Sequence, residues 1–276
     1  INGNIFDPQN GKNDLKNKNV KFIGDPQKRI EEDYLRIIRF IRFKIMYDFK
    51  LEPTTCKAIK LNLNGVKKIS KERILVELYK ILNLKNFMNL NQSTDLKEIF
   101  TLIFPEFKNL RRLERLIKIC DYSQVSMNLL LAILLIDDQD THEYFGHKYN
   151  ISNNIKDNLN FLAKNFKLIK EKKSFFNKDL EKNVYLHNKN YLINLNILNF
   201  VINSSTKLKD FSDTLSKILK SKTHKFNIDG KYLIENGMQQ GSLVGKALKE
   251  IEEEWIKNNF QITKERVKEI IHSYAN

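Results

Sequence analysis

Cysteine is scarce in this sequence. Its 276 residues include two cysteines, Cys56 and Cys120, which lie far apart in segments with a helical pattern. Two isolated thiols do not make the paired framework of a small secreted protein. The sequence therefore predicts small, buried, unpaired thiols and a reducing, cytoplasmic environment.

Long apolar runs are absent as well. The most apolar segment, residues 127–136, is shorter than the roughly 20 residues that cross a bilayer, and it contains Asn128. It predicts a buried helix. No secretory signal pattern opens the chain. With 41% hydrophobic and 29% charged residues, the composition is typical of a soluble globular protein with no membrane partner.

Patterns that hold metal ions are missing too. Asp137, Asp138 and Asp140 are followed by neither the glycine nor the distal glutamate of a calcium loop, so a polar loop is the better interpretation. His142 and His147 are five residues apart, an interval that puts them on different faces of a helix, and no cysteine or third histidine lies nearby. The sequence predicts no metal site in this region.

Acidic residues are outnumbered by basic ones. With 48 Lys and Arg against 33 Asp and Glu, the formal net charge is +15. A polyanionic partner such as RNA is one explanation. The other is compositional, because the chain is rich in Lys, Asn and Ile, the residues of A/T-rich codons. Both explanations stay open, and for any single lysine a solvated helix surface is the better interpretation.

The remaining pattern predicts a mainly α-helical protein. Asn2-Gly3 is typical of a tight turn and Val20–Ile23 of a short strand, so residues 1–24 are predicted to form a β-hairpin. From Asp25 onward the periodicity is helical, and predicted helices begin near Pro53, Ser70 and Ser93.

One predicted helix carries an extended polar stripe. With Asp25 as N-cap and Pro26 at the first helical position, the pattern runs through residues 31–43 without interruption. One arc is apolar and should face a core. Acid–base pairs three or four residues apart usually only decorate a solvated helix, but large aromatic residues rarely end such a face. The stripe consists of Arg29, Glu32, Asp33, Arg36, Phe40 and Phe43.

This stripe and three neighbouring segments resemble a known family. The run Glu32-Asp33-x-x-Arg36-x-x-Arg39-x-x-Arg42-Phe43 is similar to the nucleotide-selecting motif of bacterial class II tRNA nucleotidyltransferases, the CCA-adding enzymes, and of the related poly(A) polymerases. Further segments that resemble family motifs, in the family's order, are Asp7-Pro8-x-x-Gly11-x-x-Asp14-Leu15, Phe22-Ile23-Gly24-Asp25-Pro26 and Ile69-Ser70-x-Glu72-Arg73-Ile74-x-x-Glu77-Leu78. Weaker similarity continues at residues 102–107, 230–233, 237 and 245–246.

The resemblance implies a domain organisation. Residues 1–27 correspond to a remnant of the nucleotidyltransferase head and its hinge, 28–85 to the nucleotide-selecting neck, 86–150 to a helical body, and 151–276 to a helical body and tail that bind tRNA. The Gly-Gly turn, the Asp-x-Asp metal pair and the Arg-Arg-Asp segment that precede the motif in the family are not found ahead of it here. We therefore expect a chain without most of the catalytic head, inactive by itself.

The resemblance also implies a reaction and its components. Family members transfer nucleotides from CTP and ATP to the 3′ end of tRNA, release pyrophosphate and use two magnesium ions. The Mg²⁺ ligands are expected in the part ahead of this chain, so no catalytic residue and no metal ligand is assigned within it. Poly(A) polymerase activity and a helical RNA-binding module without catalysis stay open as alternatives. The sequence indicates no protein partner.

Residue roles follow from the same resemblance. The nucleotide is expected to contact Asp33, Arg36, Arg39 and Arg42, with support from Glu32, Arg73 and Glu77 and a hinge at Asp7, Gly11 and Leu15. Asp33 and Arg36 are expected to act as a protein template for the incoming base. An ionised Asp only accepts hydrogen bonds and an Arg only donates them. That pair matches the amino group and bare ring nitrogen of cytosine or adenine, and it opposes uracil and guanine.

Lysines interleaved with phenylalanines in residues 164–182 are the RNA-binding candidates. Ammonium groups of this kind contact phosphates and position RNA without reading its sequence. The residues assigned to this role are Lys164, Lys167, Lys170 and Lys173.

Overall fold

The computed structural model describes residues 5–172 and 174–275 and is mainly α-helical, which confirms the predicted fold class. The chain divides into two units, the first comprising residues 1–167 and 197–207 and the second residues 168–196 and 208–276. In the described part, no helix is both long enough and apolar enough to cross a membrane. The finer division into head remnant, neck, body and tail stays a prediction.

The helices and strands of the first unit follow one another with short connections. They are α1 (Gly11–Lys16), β1 (Asn19–Val20), α2 (Pro26–Glu32), α3 (Leu35–Tyr47), β2 (Lys50–Leu51), α4 (Pro53–Asn62), α5 (Lys71–Leu82), α6 (Thr94–Ile103), α7 (Arg112–Leu116), α8 (Met127–Leu135) and α9 (Thr141–Lys148). Short 3-10 helices lie at Leu63–Lys68, Lys85–Gln92 and Tyr122–Gln124.

Two long helices have residues in both units, and four more belong to the second. The two are α10 (Asn153–Glu171) and α11 (Leu180–Ile202), the latter interrupted at Asn188, where φ is 62°. The second unit adds α12 (Leu208–Lys220), α13 (Gly230–Glu235), α14 (Ser242–Lys257) and α15 (Lys264–Ala275).

The β-hairpin predicted for residues 1–24 is not formed by residues 5–24, and Asn2-Gly3 lies outside the described part. Helix α1 takes up much of this segment because the Asp7 carboxylate caps it, accepting hydrogen bonds from the backbone N–H groups of Gly11 at 2.7 Å and Lys12 at 2.8 Å. The short strand β1 then pairs in parallel with β2. A parallel pair needs a crossover, and α2 and α3 provide it.

The apolar arc predicted for residues 30–45 forms the centre of the first unit. Ile30, Ile37 and Ile38 are fully buried, and α3 packs against α5. Burial of each such side chain stabilises the fold by roughly 1.5–3 kcal/mol. The apolar segment 127–136 is a buried helix, as predicted, because every residue from 129 to 135 is inaccessible. Cys56 and Cys120 are unpaired but only half-buried.

Arg115 holds residues 197–207 within the first unit. Its guanidinium donates hydrogen bonds to the carbonyl oxygens of Phe200 at 2.7 and 2.9 Å, Asn203 at 3.3 Å and Thr206 at 2.8 Å. Its Cζ also lies 4.3 Å from the centroid of the Phe200 ring. The Phe200 carbonyl lies in the last turn of α11, and Asn203 and Thr206 follow the helix. Carbonyls at a helix C-terminus lack N–H partners within the helix, so the Arg115 cation satisfies groups that would otherwise be unpaired.

The second unit has its own apolar core between α13, α14 and α15. Leu233, Ile251, Val267 and Ile271 are all at most 2% exposed. An aromatic cluster surrounds Trp255, whose ring centroid lies 4.9–5.3 Å from those of its neighbours Tyr185, Phe226 and Phe260. Burial and ring packing thus provide the second unit with a core independent of the first.

Candidate functional site

Asp33 interrupts the helix that periodicity predicts through residues 31–43. Helix α2 ends at Glu32 and α3 begins at Leu35, while Asp33 is extended, with φ −155° and ψ 104°. Its Oδ1 accepts a hydrogen bond from the Leu35 backbone N–H at 3.1 Å. A carboxylate that caps the following helix competes with continuation of the preceding one. The prediction of one continuous helix is therefore wrong at this residue.

The second oxygen of Asp33 binds Arg73, which comes from α5. Arg73 Nη2 donates to Asp33 Oδ2 at 3.0 Å, and the two side chains are 51% and 30% exposed. Exposed ion pairs of this kind contribute about 0–1 kcal/mol. Arg73 is thus a direct partner of Asp33, while its supporting role stays a prediction.

Arg36 is held on the other side of the break by Glu32. Glu32 Oε2 lies 2.5 Å from Nη1 of both Arg29 and Arg36, and Arg36 Nη1 also donates to the Arg29 carbonyl at 2.6 Å. The hydrogen bond from Arg36 lowers the pKa of the Glu32 carboxyl. These contacts all use Nη1. Arg36 therefore keeps Nε and Nη2 as donors that these described contacts do not use.

Glu77 collects three cations at one buried carboxylate. Its side chain is 3% exposed and accepts from Arg42 Nε at 2.8 Å and Lys80 Nζ at 3.0 Å, while Arg39 Nε lies 3.5 Å away. Burial raises the pKa of Glu77, but the hydrogen bonds from Lys80 and Arg42 outweigh it, so the pKa lies below its ordinary value. Glu77 thus fixes the guanidinium group of Arg42 and attracts that of the more exposed Arg39.

A cavity of about 260 Å³ opens beside α2 and α3. Phe22 and Phe40 stack at its wall, with ring centroids 5.2 Å apart and an angle of 19° between the planes. Its lining brings four cationic side chains together with aromatic ones: Val20, Lys21, Phe22, Ile23, Arg29, Arg36, Arg39, Phe40 and Phe43. Guanidinium groups suit phosphate oxygens, and they also stack on flat rings. The cavity fits an anionic ligand that carries a planar ring.

The structure brings together only part of the set predicted from the sequence. Arg36 and Arg39 line the cavity, whereas Asp33 and Arg42 are not part of its lining and bind Arg73 and Glu77 instead. The sequence-based set omitted Arg29, although Arg29 lies one turn before Glu32 on the same polar stripe. It also omitted the wall formed by residues 20–23, which no local pattern connects with α3.

The carboxylates beside this cavity do not fit a magnesium site. Glu32, Asp33 and Glu77 each bind arginine or lysine side chains. Mg²⁺ needs oxygen ligands that are free to approach it in octahedral geometry. No step that uses a metal ion is therefore derived from the described residues.

The hinge and RNA-binding candidates are not among the residues that line the cavity. Asp7 and Gly11 are joined by the capping hydrogen bond of α1, and Leu15 on that helix is 65% exposed. Lys164, Lys167 and Lys170 are exposed at three-residue intervals along α10, and Lys173 lies outside the described residues. Lys167 Nζ is 3.6 Å from Asp140 Oδ1.

Comparison with known proteins finds similarity over most of the chain. A family model described as a probable RNA and SrmB-binding site of polymerase A matches residues 48–110. The CCA-adding enzyme of Lactobacillus helveticus is 29% identical over 92% of this chain and 63% of its own length. The human mitochondrial CCA tRNA nucleotidyltransferase 1 is 28% identical over 97% of this chain and 61% of its own length.

A solved structure shows the same fold. The Bacillus stearothermophilus CCA-adding enzyme, crystallised with CTP, superimposes with a TM-score of 0.67 at 19% identity, covering 97% of this chain and 68% of that one. This likeness shows that the two chains share a mainly helical fold. Over most of its length the chain is similar to CCA-adding enzymes, the proteins that its motifs resemble. It spans 61–63% of the length of the two curated relatives.

Proposed function

We propose that this chain is the nucleotide-selecting and tRNA-binding part of a CCA-adding tRNA nucleotidyltransferase, which transfers C and A from CTP and ATP to a tRNA 3′ end. The observation that supports this most is the cavity in which Arg29, Arg36 and Arg39 face the stacked rings of Phe22 and Phe40. The similarity of the chain to proteins named CCA-adding enzymes favours this reaction over poly(A) synthesis. The Mg²⁺ that the family's reaction uses is not expected on these residues.

In the proposed template, Arg36 contributes donors and Asp33 an acceptor. Arg36 Nε and Nη2 are directed to the ring nitrogen of cytosine or adenine, because Nη1 already binds Glu32 and the Arg29 carbonyl. Asp33 accepts from the exocyclic amino group in exchange for its exposed pair with Arg73. Uracil and guanine place a carbonyl opposite the carboxylate and an N–H opposite the guanidinium. Each such mismatch leaves a polar group unpaired, at a cost of about 1–3 kcal/mol.

The surrounding contacts keep this pair in place. Glu32 holds Arg36, Arg73 holds Asp33 until the base arrives, and Glu77 holds Arg39 and Arg42 from the neighbouring helix. Arg29 and Lys21 complete the positive lining that suits a triphosphate. We include Arg29 in the nucleotide site on this ground.

The test compares nucleotide binding and nucleotide choice in matched variants. Binding of CTP, ATP, UTP and GTP to the chain is measured by calorimetry for the parent, Asp33→Ala and Arg36→Ala, with the exposed Glu31→Gln of α2 as control. The same variants are joined to the catalytic head of a CCA-adding relative, and incorporation of each nucleotide into tRNA is measured at equal folded fraction.

We expect both variants to lose the preference for C and A by roughly 5- to 150-fold, the equivalent of one mismatched group, while Glu31→Gln keeps it. If both variants retain the parent's preference, Asp33 and Arg36 are surface residues with no template role. Extension by A alone, without C, would favour poly(A) polymerase. A chain that binds RNA but no nucleotide would favour the non-catalytic module.

A further inference from the structure

We propose that Asp140, His142 and Glu143 bind one divalent transition-metal ion, of which Zn²⁺ is the best-suited example, where α9 begins. A carboxylate oxygen from Asp140, a ring nitrogen of His142 and a carboxylate oxygen of Glu143 all lie within 4.8 Å of one another. This placement differs from the sequence-based expectation of no metal in the region. That expectation considered His142 with His147 and did not consider His142 with its two acidic neighbours.

His142 provides an independent indication that a ligand belongs here. Its side chain is only 4% exposed, and its buried Nδ1 has no hydrogen-bond partner among the described residues. Buried polar atoms in native proteins nearly always have a partner, and an exception calls for an ion, a water or a functional role.

The site is reachable from solvent. A cavity of about 210 Å³ lies against it and is lined by His142, Glu143, Gly146, His147, Lys156, Leu159 and Asn160. Glu143 is exposed, and the Asp140 side chain is 52% exposed, so both carboxylates can turn toward an ion. His147 stands on the wall of the same cavity as a second imidazole.

The donor set determines which ion fits. Zinc ligands stand about 2.0–2.2 Å from the ion for imidazole nitrogen and carboxylate oxygen. The two exposed carboxylates therefore have to close in on His142 from their present separation. One imidazole with two carboxylates suits Zn²⁺, whereas Ca²⁺ and Mg²⁺ prefer oxygen ligands alone. Three protein ligands leave a fourth position for water.

Lys167 is the group that a metal ion would displace. Its Nζ lies 3.6 Å from Asp140 Oδ1, and the two side chains are 59% and 52% exposed. Such an exposed ion pair is weak. A dication that binds both carboxylates and the imidazole should therefore displace Lys167 from Asp140. The site does not overlap the proposed nucleotide cavity, and its test is independent of that proposal.

The experiment titrates Zn²⁺ into the chelator-treated chain by calorimetry and records the absorption spectrum of the Co²⁺-substituted protein. We expect one ion per chain and a shift of the His142 ring resonances in NMR spectra. Asp140→Asn and Glu143→Gln are exposed changes that should leave the fold intact and weaken binding at least tenfold, about the loss seen when even an outer-shell partner is removed. His142→Gln should abolish the ordered cobalt spectrum.

Two control variants keep the result specific. Asp138→Asn changes a neighbouring carboxylate outside the cluster, and His272→Gln changes an exposed imidazole on α15. Both should bind Zn²⁺ like the parent. If His142→Gln does not fold, the Zn²⁺ affinities of Asp140→Asn and Glu143→Gln test the proposal instead. The proposal is overturned if Zn²⁺ binds at several equal sites, if it does not bind, or if Asp140→Asn and Glu143→Gln retain the parent's affinity.

Discussion

Replacing Glu77 with Gln removes the single charge to which Arg39, Arg42 and Lys80 are bound. Gln has nearly the same shape, so the packing of α5 is kept. Its amide retains one acceptor oxygen, but the other position becomes an NH₂ donor that faces another donor, either Arg42 Nε or Lys80 Nζ. The change therefore tests the electrostatic role of Glu77 with little loss of volume.

The size of the effect depends on which cations stay out of water. Arg39 and Lys80 are 48% and 52% exposed and can turn to solvent, so their loss is small. Arg42 is 18% exposed and cannot. Glu77→Gln should therefore lower the free energy of unfolding by the value of one charge-assisted hydrogen bond, about 1.5–3 kcal/mol. Breaking a fully buried ion pair would cost more, roughly 3–5 kcal/mol. At about 2–4 °C per kcal/mol, Tm should fall by about 3–12 °C.

The loss of stability in Glu77→Gln should become smaller as the pH is lowered. The pKa of Glu77 in the folded protein lies below its ordinary value. A carboxylate of this kind stabilises the folded state above its unfolded pKa, about 4.3. That contribution is lost as the pH falls through the lower, folded pKa. The difference in Tm between parent and Glu77→Gln should therefore be full at pH 7 and shrink below about pH 4.

Thermal unfolding followed by circular dichroism measures both points. The control is Glu72→Gln on the same helix, an exposed residue whose replacement should change stability by no more than about 0.5 kcal/mol. The reasoning would be refuted if Glu77→Gln melted with the parent at pH 7. It would also be refuted if the loss were as large at pH 3 as at pH 7.

Three further changes test other contacts. Gly65→Ala would place a Cβ 2.0 Å from the Tyr34 ring, so we expect a loss of about 1–3 kcal/mol and weaker CTP binding beside Asp33. Parental stability would contradict this close approach. Arg115→Ala should cost about 1.5–3 kcal/mol and speed amide exchange in residues 197–207, and unchanged exchange would show that the guanidinium does not hold them. The third change replaces Lys164, Lys167 and Lys170 together with Ala. Each lost phosphate contact should lower the slope of log affinity for tRNA against log salt concentration by about 0.7–0.9. An unchanged slope would mean that the basicity of this segment is compositional.

The sequence by itself determined the fold class, the order of the family motifs and much of the local structure. Asp25 does cap α2, accepting from the Lys28 N–H, and Pro26 occupies the first helical position. The pair Glu32–Arg36 follows from spacing alone, because residues four apart on a helix are neighbours. The apolar face of α2 and α3 was likewise predictable, because a 3.6-residue period decides which side chains face the core.

Tertiary structure decided the arrangement of the site. Asp33 meets Arg73 across 40 positions and Arg42 meets Glu77 across 35, and no local spacing connects such pairs. The helix breaks at Asp33 because one oxygen of its carboxylate caps α3 and the other binds Arg73 of α5. Capping by a side chain competes with continuation of the preceding helix, and the spacing of apolar residues does not show this. The parallel pairing of β1 with β2 depends on the crossover through α2 and α3. That path brings residues 20–23 against α3, and so only the fold makes a cavity from segments that the sequence keeps apart.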